Sequence, residues 1–267
     1  MGTIKTRIKT KVKYLIERYP PIGRLLSSAM GLVEIPMLQV LNYINAHISP
    51  NFMIKFIKTF FEGKWGGRVV PLNINIPAET QYLPRQEILE IISRSRVFSI
   101  GICYCRTKHK NCDHPTHTCI GLTPLPGKSL HDIHYRDAKF KRVSKEKIVD
   151  ILNDCDDRGL VHQLIYFPSP NYFYVICNCC TCCCEALHNY KKFLSPQIVK
   201  SDFVEQTALN KCVNCGTCVE FCPFDARVVI NERLVVNQSK CFGCGLCINK
   251  CPEKAIKLLK KTQKEKS

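Results

Sequence analysis

The chain reads as an α+β protein in three parts, and three observations carry that reading. Residues 1–66 lack cysteine and place apolar side chains at helical spacing, which marks a basic helical N-terminal region. Residues 67–196 alternate short amphipathic segments with β-prone runs, the pattern of a small α/β domain rich in cysteine. Residues 202–258 contain one cysteine pattern twice, and residues 259–267 form a basic tail.

In the first part, Ile4, Ile8, Val12, Leu15 and Ile16 share one helical face, with Lys5, Arg7, Lys9, Lys11 and Lys13 between them. Pro20 and Pro21 are expected to stop that helix. A basic amphipathic helix suits an anionic membrane surface or an acidic partner. The plainer alternative is a solvated helix that packs one stripe on the body. Three apolar segments follow at residues 22–33, 37–48 and 52–61, interrupted by Pro36, Pro50 and lysines. They read as short helices in a packed hairpin or as a surface resting on a membrane; each is too short or too broken to span a bilayer.

In the second part, residues 63–68 (GKWGGR) read as a loop and residues 69–76 as a strand broken by Pro71. Pro84 suits the first turn of a helix carrying Ile88, Leu89, Ile91 and Ile92. Residues 97–102 form a short apolar strand that delivers its end to Cys103. Ser144 caps a helix with Ile148, Ile151, Leu152 and Cys155 on its inner face, and Gly159 stops it. The β-prone runs 160–167 and 172–177 flank a Pro-Ser-Pro-Asn turn and predict a hairpin. Ser195 and Pro196 open the linker to the third part.

This middle domain concentrates thiols. One predicted strand leads into Cys103, Cys105, Cys112 and Cys119; another leads into Cys177, Cys179, Cys180, Cys182, Cys183 and Cys184. If the two strands are neighbours, all ten cysteines gather at one sheet edge. A buried cysteine is ordinarily a small apolar residue, a reading that suits Cys155 but not six thiols in eight residues. Adjacent thiolates repel unless a metal neutralises them or oxidation pairs them, so these ten residues are candidate ligands of a further metal centre. His109, His114 and His117 keep a mixed Cys/His zinc site open, each alternatively an exposed loop residue. A thiolate-rich site otherwise favours iron–sulfur, with Arg106, Lys108 and Lys110 offsetting its negative charge. Cys182, Cys183 and Cys184 are expected to open a helix over residues 185–194, whose N-terminus would lower their thiol pKa.

The third part reads KCVNCGTCVEFCPFDA and then KCFGCGLCINKCPEKA, with every matching position from Lys211/Lys240 to Ala226/Ala255 offset by 29. Cys212, Cys215, Cys218 and Cys222 precede Pro223, and Cys241, Cys244, Cys247 and Cys251 precede Pro252. Gly216 and Gly245 follow the second cysteine, where a left-handed backbone needs no Cβ. The run C-x2-C-x2-C-x3-C-P resembles bacterial ferredoxins with two clusters. That resemblance covers about residues 203–258 and implies crossed ligation. Cys212, Cys215, Cys218 and Cys251 would hold one [4Fe-4S] cluster, and Cys241, Cys244, Cys247 and Cys222 the other. Two zinc knuckles are the alternative, but zinc ribbons usually show two separated cysteine pairs. Over residues 69–258 the chain also resembles a group of prokaryotic iron–sulfur proteins. These join a CxCR segment, a GLVH segment (here 159–162) and a CNCCxCCC segment to a two-cluster ferredoxin domain. This resemblance implies iron–sulfur binding and supplies no reaction. The cysteine doublets are also similar to those of heterodisulfide reductases, yet the CCG signature is absent, since Thr181 follows Cys180 and Glu185 follows Cys184.

The formal charge of +17 falls to about +13 if two cubanes of charge about −2 each are bound. Such a chain suits an acidic redox partner. Nineteen closely spaced cysteines without a recognisable signal peptide fit a reducing cytoplasm, as in an anaerobe, with peripheral contact at the inner face of the membrane through the first helix. Three function classes follow: an electron-transfer protein, a redox enzyme acting on a disulfide or small molecule at the Cys-rich domain, and a zinc-stabilised binding domain with a ferredoxin appendage. No nucleotide loop, base–nucleophile pair or nucleic-acid motif is visible, so electron transfer leads and a nucleic-acid partner is not favoured. On the membrane reading, deleting residues 1–18 abolishes sedimentation with anionic vesicles, and salt weakens the binding of the intact chain. Equal vesicle binding by both chains removes that reading.

Overall fold

The computed structural model describes residues 19–47, 55, 59, 64–72, 92, 98–122, 140–168, 173–193 and 198–261. The expected helix at residues 4–18 and most of the one after Pro84 lie outside the described residues. Within them the chain is mixed α and β.

The first helix, α1 (Pro20–His47), is 28 residues long and runs straight through Pro36. The sequence predicted a break there. Proline removes one backbone hydrogen bond, a local cost that apolar packing offsets. Met30 supplies part of that packing, buried against Trp65, Ile165, Tyr174 and Val175, with Met37 beside them. At the other end, Pro20 sits where the first helical N–H groups lack intrahelical partners anyway, so the proline begins this helix. No helix among the described residues is long and apolar enough to cross a membrane.

The middle of the chain forms a seven-stranded sheet. Its strands are β1 (Gly66–Val69), β2 (Phe98–Ile102), β3 (His117–Leu122), β4 (Lys141–Val143), β5 (Val161–Tyr166), β6 (Phe173–Cys179) and β7 (Ile198–Val199), in the order β4-β2-β3-β6-β5-β1-β7. Every pairing is antiparallel except that of β1 with β7. The alternating helices and strands of the expected α/β domain are present, and most neighbouring strands run antiparallel. β1 also occupies the stretch that its glycines had marked as a loop. Gly67 allows this, because a Cβ there would lie 2.4 Å from the Gln163 side chain on β5.

The hairpin β5–β6 forms as expected, pairing Val161 with Cys179 and Leu164 with Ile176. β5 is buried along its whole length because both faces of the sheet are covered. Leu164 and Ile176 face a core with Ile100, Ile120, Ile148 and Leu152, whereas Ile165 and Val175 face α1. This is the period-two alternation of a strand. The first of these cores is closed by the helix α3 (Lys145–Asp157), which presents Ile148, Leu152, Cys155 and Asp156 to the sheet. Ser144 caps it by accepting a hydrogen bond from the Lys147 N–H, and Gly159 follows its end at φ 73°. A shorter helix, α2 (Tyr104–His109), follows β2, and α4 (Glu185–Phe193) follows β6.

The last part contains β8 (Phe203–Thr207) paired with β11 (Ile256–Lys260), and the hairpin β9 (Arg227–Ile230) with β10 (Arg233–Val236). Single-turn helices α5 (Thr217–Glu220) and α6 (Leu246–Asn249) follow the cysteine loops. The repeat in sequence is also a repeat in backbone. Positive φ recurs at Asn214 and Gly243, at Gly216 and Gly245, and at Asp225 and Lys254. Arg68 pairs with Asp202 at 2.7 Å, and Asn249 donates to Asp156 at 2.6 Å, so this part is fastened to the sheet and to α3. Leu164 is fully buried, and Leu164→Ala is expected to lower unfolding stability by about 2–5 kcal/mol, read from the denaturation midpoint.

Candidate metal centres

The eight cysteines of the repeat line two cavities. One is bordered by Cys212, Cys215, Cys218 and Cys251, the other by Cys222, Cys241, Cys244 and Cys247. Each therefore takes three thiols from one copy of the repeat and the fourth from the other copy. The crossing follows from the chain path: in each copy the third cysteine sits within a single helical turn, α5 or α6, and the fourth cysteine follows that turn and lines the other cavity. Main-chain N–H groups point at the sulfurs. Ala226 donates to Cys222 and Ala255 to Cys251, both at 3.3 Å, and Gly243 donates to Cys241 at 3.4 Å. Gly243 must be glycine, since φ is +63° and a Cβ would lie 2.2 Å from the Phe203 carbonyl oxygen.

These thiols suit a metal cluster chemically. Burial pushes the Cys244 thiol well above its usual range and lifts Cys247 to about 12. Burial likewise raises Cys218 against the pull of Arg227. Such groups ionise when a soft cation takes the proton's place. A donor set of four sulfurs with N–H groups directed at them fits a [4Fe-4S] cube in each cavity.

The ten cysteines of the middle domain divide into two sets. Cys103, Cys119, Cys177, Cys179, Cys184 and Cys105 form a row of hydrogen-bonded thiols in that order. Cys112, Cys180, Cys182 and Cys183 form a separate group whose sulfurs all lie within 4.8 Å of one another. The strands that deliver the two loops, β2 and β6, are not neighbours, because β3 lies between them. Cys119 is consequently a strand residue opposite Gly101 and not part of a loop. That placement lets it bridge Cys103 to Cys177. Within the row, Cys103 and Cys177 donate to Cys119, which lowers the Cys119 pKa well below the thiol range and raises those of its donors. Donation from Cys177 and Cys184 brings Cys179 down to about 6. At the start of α4, Cys105 draws the Cys184 pKa down, but Cys179 and burial outweigh it, so Cys184 rises where a helix N-terminus had suggested a fall. Cys155 stays an apolar core residue beside Leu160, its thiol pushed up to about 12 by burial.

Two buried arginines serve these thiols. Arg106 is 2 % exposed and donates to Thr118 Oγ1 at 3.0 Å and to the carbonyls of Pro115 and Asn178. Burial opposes its charge, yet the thiolates of Cys103, Cys180 and Cys179 more than offset that and hold its pKa above normal. It thus feels the charge of both middle-domain sets. In the last part, Arg227 is 4 % exposed, donates to Cys218 Sγ at 3.4 Å, and pairs with buried Glu205. Cys247, from the other cavity, also raises its pKa.

The remaining expected site residues lie elsewhere. Lys108 and His109 pair with Glu185 at 3.2 and 2.5 Å, and Lys110 is exposed at the end of α2. No histidine joins the four-thiol group, so the mixed Cys/His site does not form among the described residues. A buried polar chain escaped the sequence reading. His162 Nδ1 lies 2.5 Å from Asn178 Oδ1, its Nε2 lies 3.6 Å from Asp156 Oδ1, and Asp156 accepts from Asn249. Asn178 separates two cysteines of the row and Asn249 separates two of the repeat, so the chain links the two thiol regions. Its only sequence signal was the GLVH segment.

Replacing Arg227 with Met strands Glu205 as a buried charge, and a loss of about 3–5 kcal/mol is expected from chemical denaturation. The double change Arg227→Met with Glu205→Met recovers much of it, because the stranded charge is removed too.

Residues 206–261 match the family model of the 4Fe-4S dicluster domain. No match to the chain was found among curated proteins. The matched segment contains all eight cysteines of the two cavities, and the four-thiol group at residues 112–183 stands outside it. Residues 206–261 mark the chain as an iron–sulfur protein with a 4Fe-4S dicluster-type domain, preceded by a separate group of four thiols in metal-ligating geometry.

Proposed function

We propose that the protein transfers electrons through two [4Fe-4S] clusters held on crossed cysteine sets, and onward to an iron–sulfur centre on the six-thiol row. The observation that carries this reading is the pair of cavities, each lined by four thiols drawn from both copies of the repeat. When bound there, a cubane accepts and releases an electron within the broad potential range of thiolate-held clusters. The polypeptide contributes position and charge. Arg227 places a positive group against both cysteine sets, and the Ala226, Gly243 and Ala255 N–H groups stabilise thiolate sulfur.

A route into the middle domain is supported by packing. Cys179 and Cys184 of the row share one buried cluster with Phe224, Phe242 and Leu246, and Cys244 packs against it. The cavity of Cys222, Cys241, Cys244 and Cys247 is therefore the one facing the row. Cys215, by contrast, is exposed, so the other cavity offers the contact point for an outside redox partner. With a chain charge of +17, that partner is an acidic protein. The nineteen thiols are all free, which suits a reducing compartment.

The test is spectroscopic grouping of variants in the full chain prepared without oxygen. Cys222→Ala is expected to perturb the same cluster signal as Cys241→Ala, and Cys212→Ala the other signal. If Cys222→Ala instead groups with Cys212→Ala, crossed ligation is wrong. Fewer than eight irons in the dicluster domain would remove the two-cluster reading.

A further inference from the structure

The four-thiol group has a geometry unlike that of the two cavities. Cys112 Sγ lies 3.7 Å from Cys180 Sγ and 3.6 Å from Cys183 Sγ, and all four sulfurs, including that of Cys182, fall within 4.8 Å. A single ion bound to four thiolates at about 2.3 Å places its sulfurs at the corners of a tetrahedron with edges of about 3.8 Å. A cubane sets its four thiolates much farther apart, across the whole cube. Among the described residues this is the only group of three or more potential ligands so closely gathered.

The surroundings agree with a bound thiolate set. Asn111 holds the loop in place by donating its side-chain amide to the Cys182 carbonyl at 2.8 Å. The buried Arg106 guanidinium lies near Cys180, which helps to raise its pKa, and no carboxylate pairs with it among the described residues. A tetrathiolate site with a divalent ion carries two net negative charges, which such a buried cation partly balances. The group also packs apart from the proposed electron route. Its apolar neighbours are Cys155 and Leu160, not the phenylalanines beside Cys244.

We infer that Cys112, Cys180, Cys182 and Cys183 bind one zinc ion as a closed structural site. Four thiolates leave no coordination position for substrate, and zinc accepts the tetrahedron without redox chemistry. The ion clamps the loop after α2 to the loop after β6, positions 68 or more residues apart. This inference is independent of the electron-transfer reading.

The test uses the full chain purified anaerobically from zinc-supplemented cells. One zinc per chain is expected, and X-ray absorption at the zinc edge should show four sulfur neighbours at about 2.3 Å. Cys112→Ser should lose zinc while iron and sulfide stay at their original counts, and Cys105→Ser should keep zinc in full. Absence of zinc, nitrogen or oxygen in place of sulfur neighbours, or zinc unaffected by Cys112→Ser overturns the inference. So does iron at this site, whether a single ion or a sulfide-containing cluster. Should Cys112→Ser fail to fold, the absorption spectrum of the unaltered protein still decides. Loss of iron with zinc intact counts against the electron-transfer reading alone.

Discussion

Thiolates repel one another, and this protein brings eighteen cysteines into four groups within one structure. Like charges so close require cations and hydrogen-bond donors among them. The polypeptide supplies part of that compensation itself. Arg106 and Arg227 are both almost fully buried, and thiols of two different groups raise the pKa of each. Main-chain N–H groups complete the arrangement at Cys222, Cys241 and Cys251. The remaining charge is left for metal to neutralise. Buried thiols lifted to about 12, such as Cys247, stay protonated without it, so folding and metal loading are coupled.

The sheet exists, in functional terms, to converge loops. β2 and β6 both run antiparallel to β3, so they end at the same edge although β3 lies between them. That edge receives Cys103 from one side and Cys179 through Cys184 from the other. Covered faces make the strands rigid: α3 closes one core and α1 the other. A rigid edge matters because ligand atoms must be held within a few tenths of an ångström for a metal to bind tightly.

The joint between the sheet and the dicluster domain is apolar at its centre and polar at its side. Phe224 and Phe242 stack with centroids 4.1 Å apart, and Tyr190 of α4 meets Phe242 edge-on at 4.7 Å. Beside them runs the chain Asn178, His162, Asp156 and Asn249. The His162–Asp156 approach in it is 3.6 Å, so the Asn249–Asp156 hydrogen bond is the member that ties the dicluster domain to α3. Electron transfer depends steeply on separation, so a fixed joint serves it directly.

Local features were legible in the sequence. The 29-residue offset announced two equal loops, and Gly216 and Gly245 take the positive φ that their position after the second cysteine implied. Ser144 and Gly159 also acted as read, because caps depend on a few adjacent residues. Other outcomes needed the folded chain. Pro36 stays inside α1, whose Met30 and Met37 pack on the sheet, and Gly66 stays inside β1, paired with Tyr166 of β5. The division of ten thiols into a row of six and a group of four was hidden, since Cys180 and Cys179 are adjacent in sequence yet face different partners. Arg106, Lys108 and Lys110 looked equivalent as loop cations, but only Arg106 is buried among thiols. Successive strand residues face opposite sides and a helix turns its residues about its axis, so neighbours in sequence diverge in space. The sequence by itself determined how many thiols there are and how they are spaced; tertiary structure alone decided which of them meet, because that depends on contacts between residues some 70 positions apart.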